Sequence, residues 1–335
     1  MPNENVVVLK WSRRTLLERD GRLLTPELHD DLWPEGHTYV RRLYRTKWLQ
    51  FRLNDKEDDI EIIRPKGPLS QKGYESGEAF CSLGPGYFQN HAMTPPVPED
   101  ASCTTWMACD TFDSAPGDKY IHGTITPVAF TWNTETGLYE WTRTGSIHSI
   151  EGQMIGEASI SRFGDSWIVA ARCYKTSAST AWYRSDDLFA GLGEPVIIEK
   201  GRRWQCPRHS YKCANGQLRI FLNNREWSPY FDRRNPLYAV DVDPVTFEYT
   251  ERQVVCDARI EGFPFDAPCL DMSKLCPNQG NRQLIHFRLV DRFMTSVEDF
   301  EGSDEARADM MAKAGIHYAE IVYEGDIPDP WDFGA

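Results

Sequence analysis

Apolar residues fall along this chain in short runs separated by polar, turn-forming clusters, and few of those runs carry the three-to-four spacing of a helix. Three of them end in the same residue type: W-I-V-A-A-R at Arg172, R-I-F-L-N-N-R at Arg225 and L-I-H-F-R at Arg288. Each follows a turn rich in Gly, Asp and Asn, namely F-G-D-S, C-A-N-G-Q and P-N-Q-G-N-R-Q. The recurring unit is strand, tight turn, strand, arginine. Strands alternate faces and turns fix register, so one position per unit points the same way. Guanidiniums at equivalent positions of successive units can hold an anion, because arginine presents a rigid fork that matches a carboxylate. The alternative is that each arginine bridges to a neighbouring Asp or Glu and only supports the fold.

The units recur. G-E-A-F-C-S-L-G-P-G-Y-F from Gly77 matches G-E-A-S-I-S-R-F-G-D-S-W from Gly156, and related units open near Arg208 and Asp266. A further strand pair follows the second and third, at 181–189 and 236–249. Four strands in a repeat of about 50 residues is the arithmetic of a β-propeller blade. The expected fold is therefore all-β, a single propeller over residues 1–335. Chain length gives six blades, and five or seven fit nearly as well. Residues 1–75 are expected to form an irregular segment and a partial blade, with 316–324 as the strand that closes the ring and removes an exposed edge. Only the acidic stretch S-V-E-D-F-E-G-S-D-E-A-R-A-D-M-M-A-K-A reads as a helix, short and on the surface. A β-sandwich is the competing fold, but it does not predict the repeated turn and arginine.

Composition then narrows the function. Lys plus Arg number 37 against 50 Asp plus Glu, a net charge of -13, which argues against a general basic surface for nucleic acid. Such a protein can still keep a local basic pocket. The 11 Trp and 14 Tyr suit a β-rich fold and a sugar-stacking surface alike. The N-terminus shows only the apolar run V-V-V-L, and no stretch approaches the length of a membrane span, so a cytoplasmic location away from membranes is expected. The 9 cysteines follow no disulfide spacing; reduced thiols are expected, with Cys81, Cys173 and Cys269 as small core residues.

At these residues the chain resembles the sialidase superfamily of propellers. In that family a Glu opens a strand, an Arg follows about fifteen residues later, further arginines come in later blades and a Tyr stands near the C-terminus. Here Glu157 precedes Arg172 by that interval, Arg225 and Arg288 supply later arginines, and Tyr318 in H-Y-A-E-I-V-Y-E stands where the tyrosine would be. The resemblance covers roughly residues 150 to 325. It departs from the family in lacking the aspartate box S-x-D-x-G-x-T-W, and I-I-R-P around Arg64 only loosely replaces the N-terminal arginine motif. What it implies is an exo-acting glycoside hydrolase for a carboxylate-bearing sugar. Tyr318 is then the nucleophile, Glu157 its base, and Arg172, Arg225 and Arg288 the carboxylate clamp.

A second register leaves Arg225, Arg288 and Tyr318 in place but sets R-H-S-Y, with His209 and Tyr211, where the Glu should be. That swap resembles propeller polysaccharide lyases and rhamnosidases. It implies β-elimination from a uronic acid, with Arg225 or Arg234 neutralising the carboxylate, His209 as base and Tyr211 as acid. Structural readings stand beside each role: a blade-opening glutamate (Glu78 recurs in the first unit), a satisfied core histidine and a half-buried tyrosine. Asp232, Arg233 and Arg234 form a dense polar cluster suited to a substrate-facing loop, and Asp266 or Asp271 could supply an acid. Cys206, His209 and Cys213 have zinc-like spacing but need a fourth ligand such as His286, and no second C-x-x-C exists, so no metal is expected. There is no phosphate-binding loop, dinucleotide fingerprint or nucleophile elbow, so no cofactor is expected either. The third reading is a non-catalytic propeller binding module or scaffold, which predicts aromatic or apolar rim patches and no converging charges, whereas the enzyme readings take an acidic oligosaccharide as substrate.

Overall fold

A computed structural model describes residues 6–17, 41–54, 59–68, 97–100, 102–113, 121–135, 138–151, 155–173, 179–198, 209–230, 234–291 and 304–325, with a few single positions besides. The repeat opening at Gly77, with Glu78 and Cys81, lies outside them, as do Cys206, Arg208, Arg233 and the side chain of Arg64. The described residues are mostly β, in antiparallel sheets, with one helix. Two compact units are distinguished. One comprises Met1–Gly156 with Leu188–Gly191, the other Glu157–Asp187 with Leu192–Ala335.

In the first unit β1 (Val6–Leu17), β2 (Arg41–Leu53) and β3 (Ile60–Pro68) form one sheet. A second sheet consists of β4 (Val97–Pro98), β5 (Cys103–Asp113), β6 (Ile121–Asn133) and β7 (Leu138–Thr144). Neighbours in sequence are neighbours in each sheet. Glu99 and Arg143 tie the outer strands of the second sheet through two bonds of 2.7 Å.

The second unit holds three such meanders. The first is β8 (Ile155–Phe163), β9 (Ser166–Cys173), β10 (Thr180–Ser185) and β11 (Val196–Ile198). The next is β12 (His209–Lys212), β13 (Leu218–Leu222), β14 (Leu237–Val242) and β15 (Tyr249–Cys256). The last is β16 (Pro268–Gln279), β17 (Arg282–Asp291) and β18 (Gly315–Val322). Helix α1 (Asp304–Lys313) precedes β18, which pairs with β17; the helix is mostly exposed and docks Met310 on the core.

The turns explain the first two hairpins. Gly164 at φ +58° and Gly216 at φ +84° take the left-handed conformation that a side chain would resist. Around Gly216 the Cys213 amide donates to the Gln217 carbonyl at 2.8 Å, closing the hairpin.

In the middle meander β13 and β14 are buried on both faces, and their alternation says why. Leu218, Ile220, Leu222, Tyr238, Val240 and Val242 pack with Ile168, Ala170 and Trp182 of the preceding sheet. Phe221, Leu237 and Ala239, pointing the other way, pack with Leu270, Ile285, Phe287 and Leu289 of the following one. Continuous apolar runs in β13 and β14 are what a strand buried on both faces needs. The first strands of the three sheets also meet edge to edge. Ser159 and Ser210 hydroxyls lie 2.7 Å apart, and Ser161 accepts the Lys212 amide at 3.1 Å, so β8 and β12 run side by side in the same direction. Tyr211 donates its hydroxyl to the Ser273 carbonyl at 3.0 Å, joining β12 to β16.

Candidate functional site

In a meander the first strand begins and the second strand ends at the same edge. Glu157 and Arg172, His209 and Asp271, Arg225 and Arg288 therefore all stand near that edge of their own sheets. Their local surroundings differ, and the differences sort the arginines.

Arg172 donates to Glu157 at 2.6 Å across the β8–β9 hairpin, both side chains largely buried. Glu157 itself sits at φ 46°, a left-handed conformation that costs a non-glycine residue about 1 kcal/mol. Arg288 grips Asp271 with two bonds, Nε to Oδ1 at 2.8 Å and Nη2 to Oδ2 at 2.7 Å, from the directly opposite position on β17. Arg234 reaches the same carboxylate, whose side chain is only 1 % exposed. Two guanidiniums thus share one buried carboxylate and leave a local positive charge. The Cys269 thiol lies 3.6 Å from Asp271, and burial pushes it up to about 11, so it stays protonated.

Arg225 is held differently. It follows β13 in a turn where Trp227 and Ser228 amides both donate to the Asn224 carbonyl at 3.2 Å. The connection from β13 to β14 is pinned at its far end too: Asn223 donates to the Pro236 carbonyl at 2.9 Å, and the Leu270 amide donates to the Arg234 carbonyl at 2.9 Å. Arg225 and Arg234 therefore leave opposite ends of one anchored connection. Arg225 is half-buried, and its Nε is buried without a hydrogen-bond partner among the described residues. Neighbouring Asp232 is taken by Arg259 through bonds of 2.6 and 2.9 Å.

His209 is fully buried. Its Nδ1 bonds the Ser273 carbonyl and lies 3.1 Å from the Ser273 hydroxyl, so Nδ1 carries the proton and Nε2 is left as an acceptor. Burial, with the Lys274 charge beside it, takes its pKa down to about 3. Tyr211 is buried as well, and that burial raises its phenol far above the ordinary value.

Tyr318 lies on β18 and is 73 % exposed. It shares no hydrogen bond with Glu157; the residue opposite it is His286. His286 in turn faces Lys274 on β16. Lys274 and Asp271 are three apart, which in a regular strand sends them to opposite faces. A bulge between them, with Met272 at φ 56°, restores both to the face that carries Arg288, His286 and Tyr318. Burial brings Lys274 down to about 8, and burial with the Lys274 charge lowers His286.

Sequence reasoning gave Asp271 only as a possible acid and His286 only as a metal ligand, and it passed over Lys274. The signal available was the D-M-S-K string, whose spacing hides the shared face until the bulge is known. Among the described residues no group of three or more His, Cys, Asp or Glu side chains is arranged to hold a metal ion.

No protein-family model and no curated protein matches the sequence. Among solved structures the chain is similar to a protein of unknown function from Dyadobacter fermentans, at 13 % identity over 82 % of this chain and 70 % of that one, with a TM-score of 0.49. It is also similar to a mutant of NanB sialidase from Streptococcus pneumoniae, at 11 % identity over 85 % of this chain and 39 % of that one, TM-score 0.41. A third is an exo-β-1,3-galactanase from Phanerochaete chrysosporium, at 11 % identity over 81 % of this chain and 58 % of that one, TM-score 0.40. The chain spans less than half of the sialidase's length.

Proposed function

We propose that this chain is a propeller glycoside hydrolase that cleaves the glycosidic bond of a carboxylate-bearing sugar. Five meanders among the described residues, three of them stacked face to face, support the propeller reading. The observation that carries the anionic substrate is Arg225. Its counterparts Arg172 and Arg288 are each matched by a carboxylate of the protein, which is what a structural bridge looks like. Arg225 keeps a buried donor with no partner among the described residues, and buried donors in folded proteins are rarely left so. A substrate carboxylate would complete it, with Arg234 on the same connection and Arg288 beyond Asp271 adding positive potential.

Hydrolysis stands ahead of β-elimination on the chemistry of His209. An imidazole whose conjugate acid has a pKa of about 3 is a poor base for a carbon-bound proton, and its ring has no exposed surface. Tyr318, by contrast, is open to solvent on the same sheet face as Arg288, its diagonal neighbour.

The test is incubation with sialosides, glucuronides and uronate polymers, following reducing-sugar release and the ultraviolet absorbance of an unsaturated uronate together. Release without absorbance, lost in Arg225→Met, is the expected result. Absorbance rising with release would transfer the reading to elimination, and silence on both channels would leave the arginines to binding or to the fold.

A further inference from the structure

The connection from β13 to β14 carries an aromatic ring that the carboxylate reading leaves unused. Tyr230 stands between Arg225 and Arg234 along it, and 43 % of the residue is exposed. The ring is held from behind. Arg259, in the turn after β15, lies over one of its faces with the guanidinium carbon 5.4 Å from the centroid. That guanidinium is itself fixed: Nε and Nη2 donate to Asp232 at 2.6 and 2.9 Å, and Nη2 donates to the Asp266 carbonyl at 3.1 Å. Asn235 completes the brace. Its Nδ2 donates to Asp232 and to Asp257 at 3.1 Å each, and its Oδ1 accepts the Ala258 amide at 2.8 Å.

The ring also lies close to Arg225. The Ser228 amide donates to the Asn224 carbonyl four residues back, so 224–228 makes one helical turn, and the Tyr238 hydroxyl anchors that turn by donating to the Trp227 carbonyl at 3.0 Å. Three residues of the turn and two more of chain separate Arg225 from Tyr230, which puts their Cα atoms within about 12 Å. One disaccharide can therefore touch both. We propose that Tyr230 is a stacking platform for a neutral pyranose joined to the acidic sugar, and that Arg259 is the positioning residue that holds the ring. This rests on reading Arg225 as the carboxylate site, and deepens that reading by naming the class of the neighbouring sugar.

A pyranose presents C–H bonds on a face of its ring. The negative π face of an aromatic side chain attracts them, and both surfaces leave water as they meet. Tyrosine offers that area at small entropic cost, because it turns about two side-chain torsions only and the cation over its other face already restricts them. The charges favour a neutral occupant over a second anion. Arg259 is matched by Asp232, whereas Arg225 keeps a buried donor with no partner among the described residues. The Tyr230 hydroxyl makes no hydrogen bond among the described residues, so it is available to a sugar oxygen at the rim of the stack. The loop position fits as well, since recognition groups on a rigid scaffold sit on its connections.

Calorimetric titration of the whole chain tests the platform. The ligands are the methyl glycosides of glucuronic and sialic acid, and the sulfur-linked disaccharides that join the same acids to galactose and resist hydrolysis. Each disaccharide should bind about tenfold tighter than its methyl glycoside. Tyr230→Ala, at an exposed position that spares the fold, should remove that gain and leave the methyl glycoside's affinity unchanged. Tyr230→Trp should keep the gain and Arg259→Met should reduce it, whereas groups that only braced the loop would shift both ligands alike. A full gain in Tyr230→Ala would overturn the inference. Arg225→Met should lose both ligands, which tests the carboxylate reading apart from the platform. If no acidic ligand binds the wild type, the carboxylate reading falls, and ring-carbon NMR of tyrosine-labelled protein with lactose decides the platform: a shifted Tyr230 signal upholds it and an unmoved one overturns it.

Discussion

Asp271 is the residue on which most of the local chemistry depends. It is buried, and both Arg234 and Arg288 donate to its carboxylate. Replacing it with Asn removes the charge and leaves two guanidiniums facing each other, a change expected to destabilise the fold by about 3–5 kcal/mol, measurable by urea unfolding. Arg225→Met should do the reverse. Losing a half-buried cation whose Nε has no partner should leave stability equal or higher, while abolishing any affinity for a carboxylate sugar. Chemical denaturation and calorimetric titration of the same variant separate the two effects. Loss of stability in Arg225→Met would mean that the guanidinium supports the fold.

Among elements, the bulge of β16 has the largest consequence, because it places Lys274 and Asp271 on one face. Met272 adopts φ 56° there and is itself substantially exposed. Met272→Gly should relieve the left-handed strain and raise stability by about 0.5–1 kcal/mol, seen as a higher Tm. A lower Tm would show that the methionine side chain contributes more than its backbone costs. The strand, turn, strand, arginine unit was legible in the sequence because hydrophobic alternation and turn glycines both encode it. So was the shared edge of Arg172, Arg225 and Arg288. Their partners were not legible. Whether an arginine meets Glu157, Asp271 or no partner among the described residues depends on what lies across the sheet, and a one-residue bulge shifts that pairing without a clear sequence mark. The pairing of Tyr318 with His286 was hidden for the same reason, since register between β17 and β18 is set across the helix that separates them.

At the scale of the molecule, pH response gives a further check. His209 has a folded pKa of about 3 against a reference of 6.5, so the unfolded chain binds the extra proton first. Its contribution to stability is complete above the unfolded pKa and is lost as pH falls from 6.5 toward 3, at about 1.4 kcal/mol per pH unit. His209→Gln should flatten that acid limb; an unchanged limb would place the loss in other groups. Lys274 acts in the alkaline window. Its folded value of about 8 lies below the reference 10.5, so it makes stability rise with pH between those two values. Over the whole chain the charge is -13, and an anionic substrate must approach against that field. Local guanidiniums have to overcome it, so binding should strengthen as salt screens the long-range repulsion and weaken once salt competes at the site. The most direct measurement compares cleavage of an acidic glycan with cleavage of its methyl ester, by the wild type and by Arg225→Met. The wild type is expected to prefer the free acid strongly, and Arg225→Met to lose this preference. Equal cleavage of acid and ester by the wild type would contradict it.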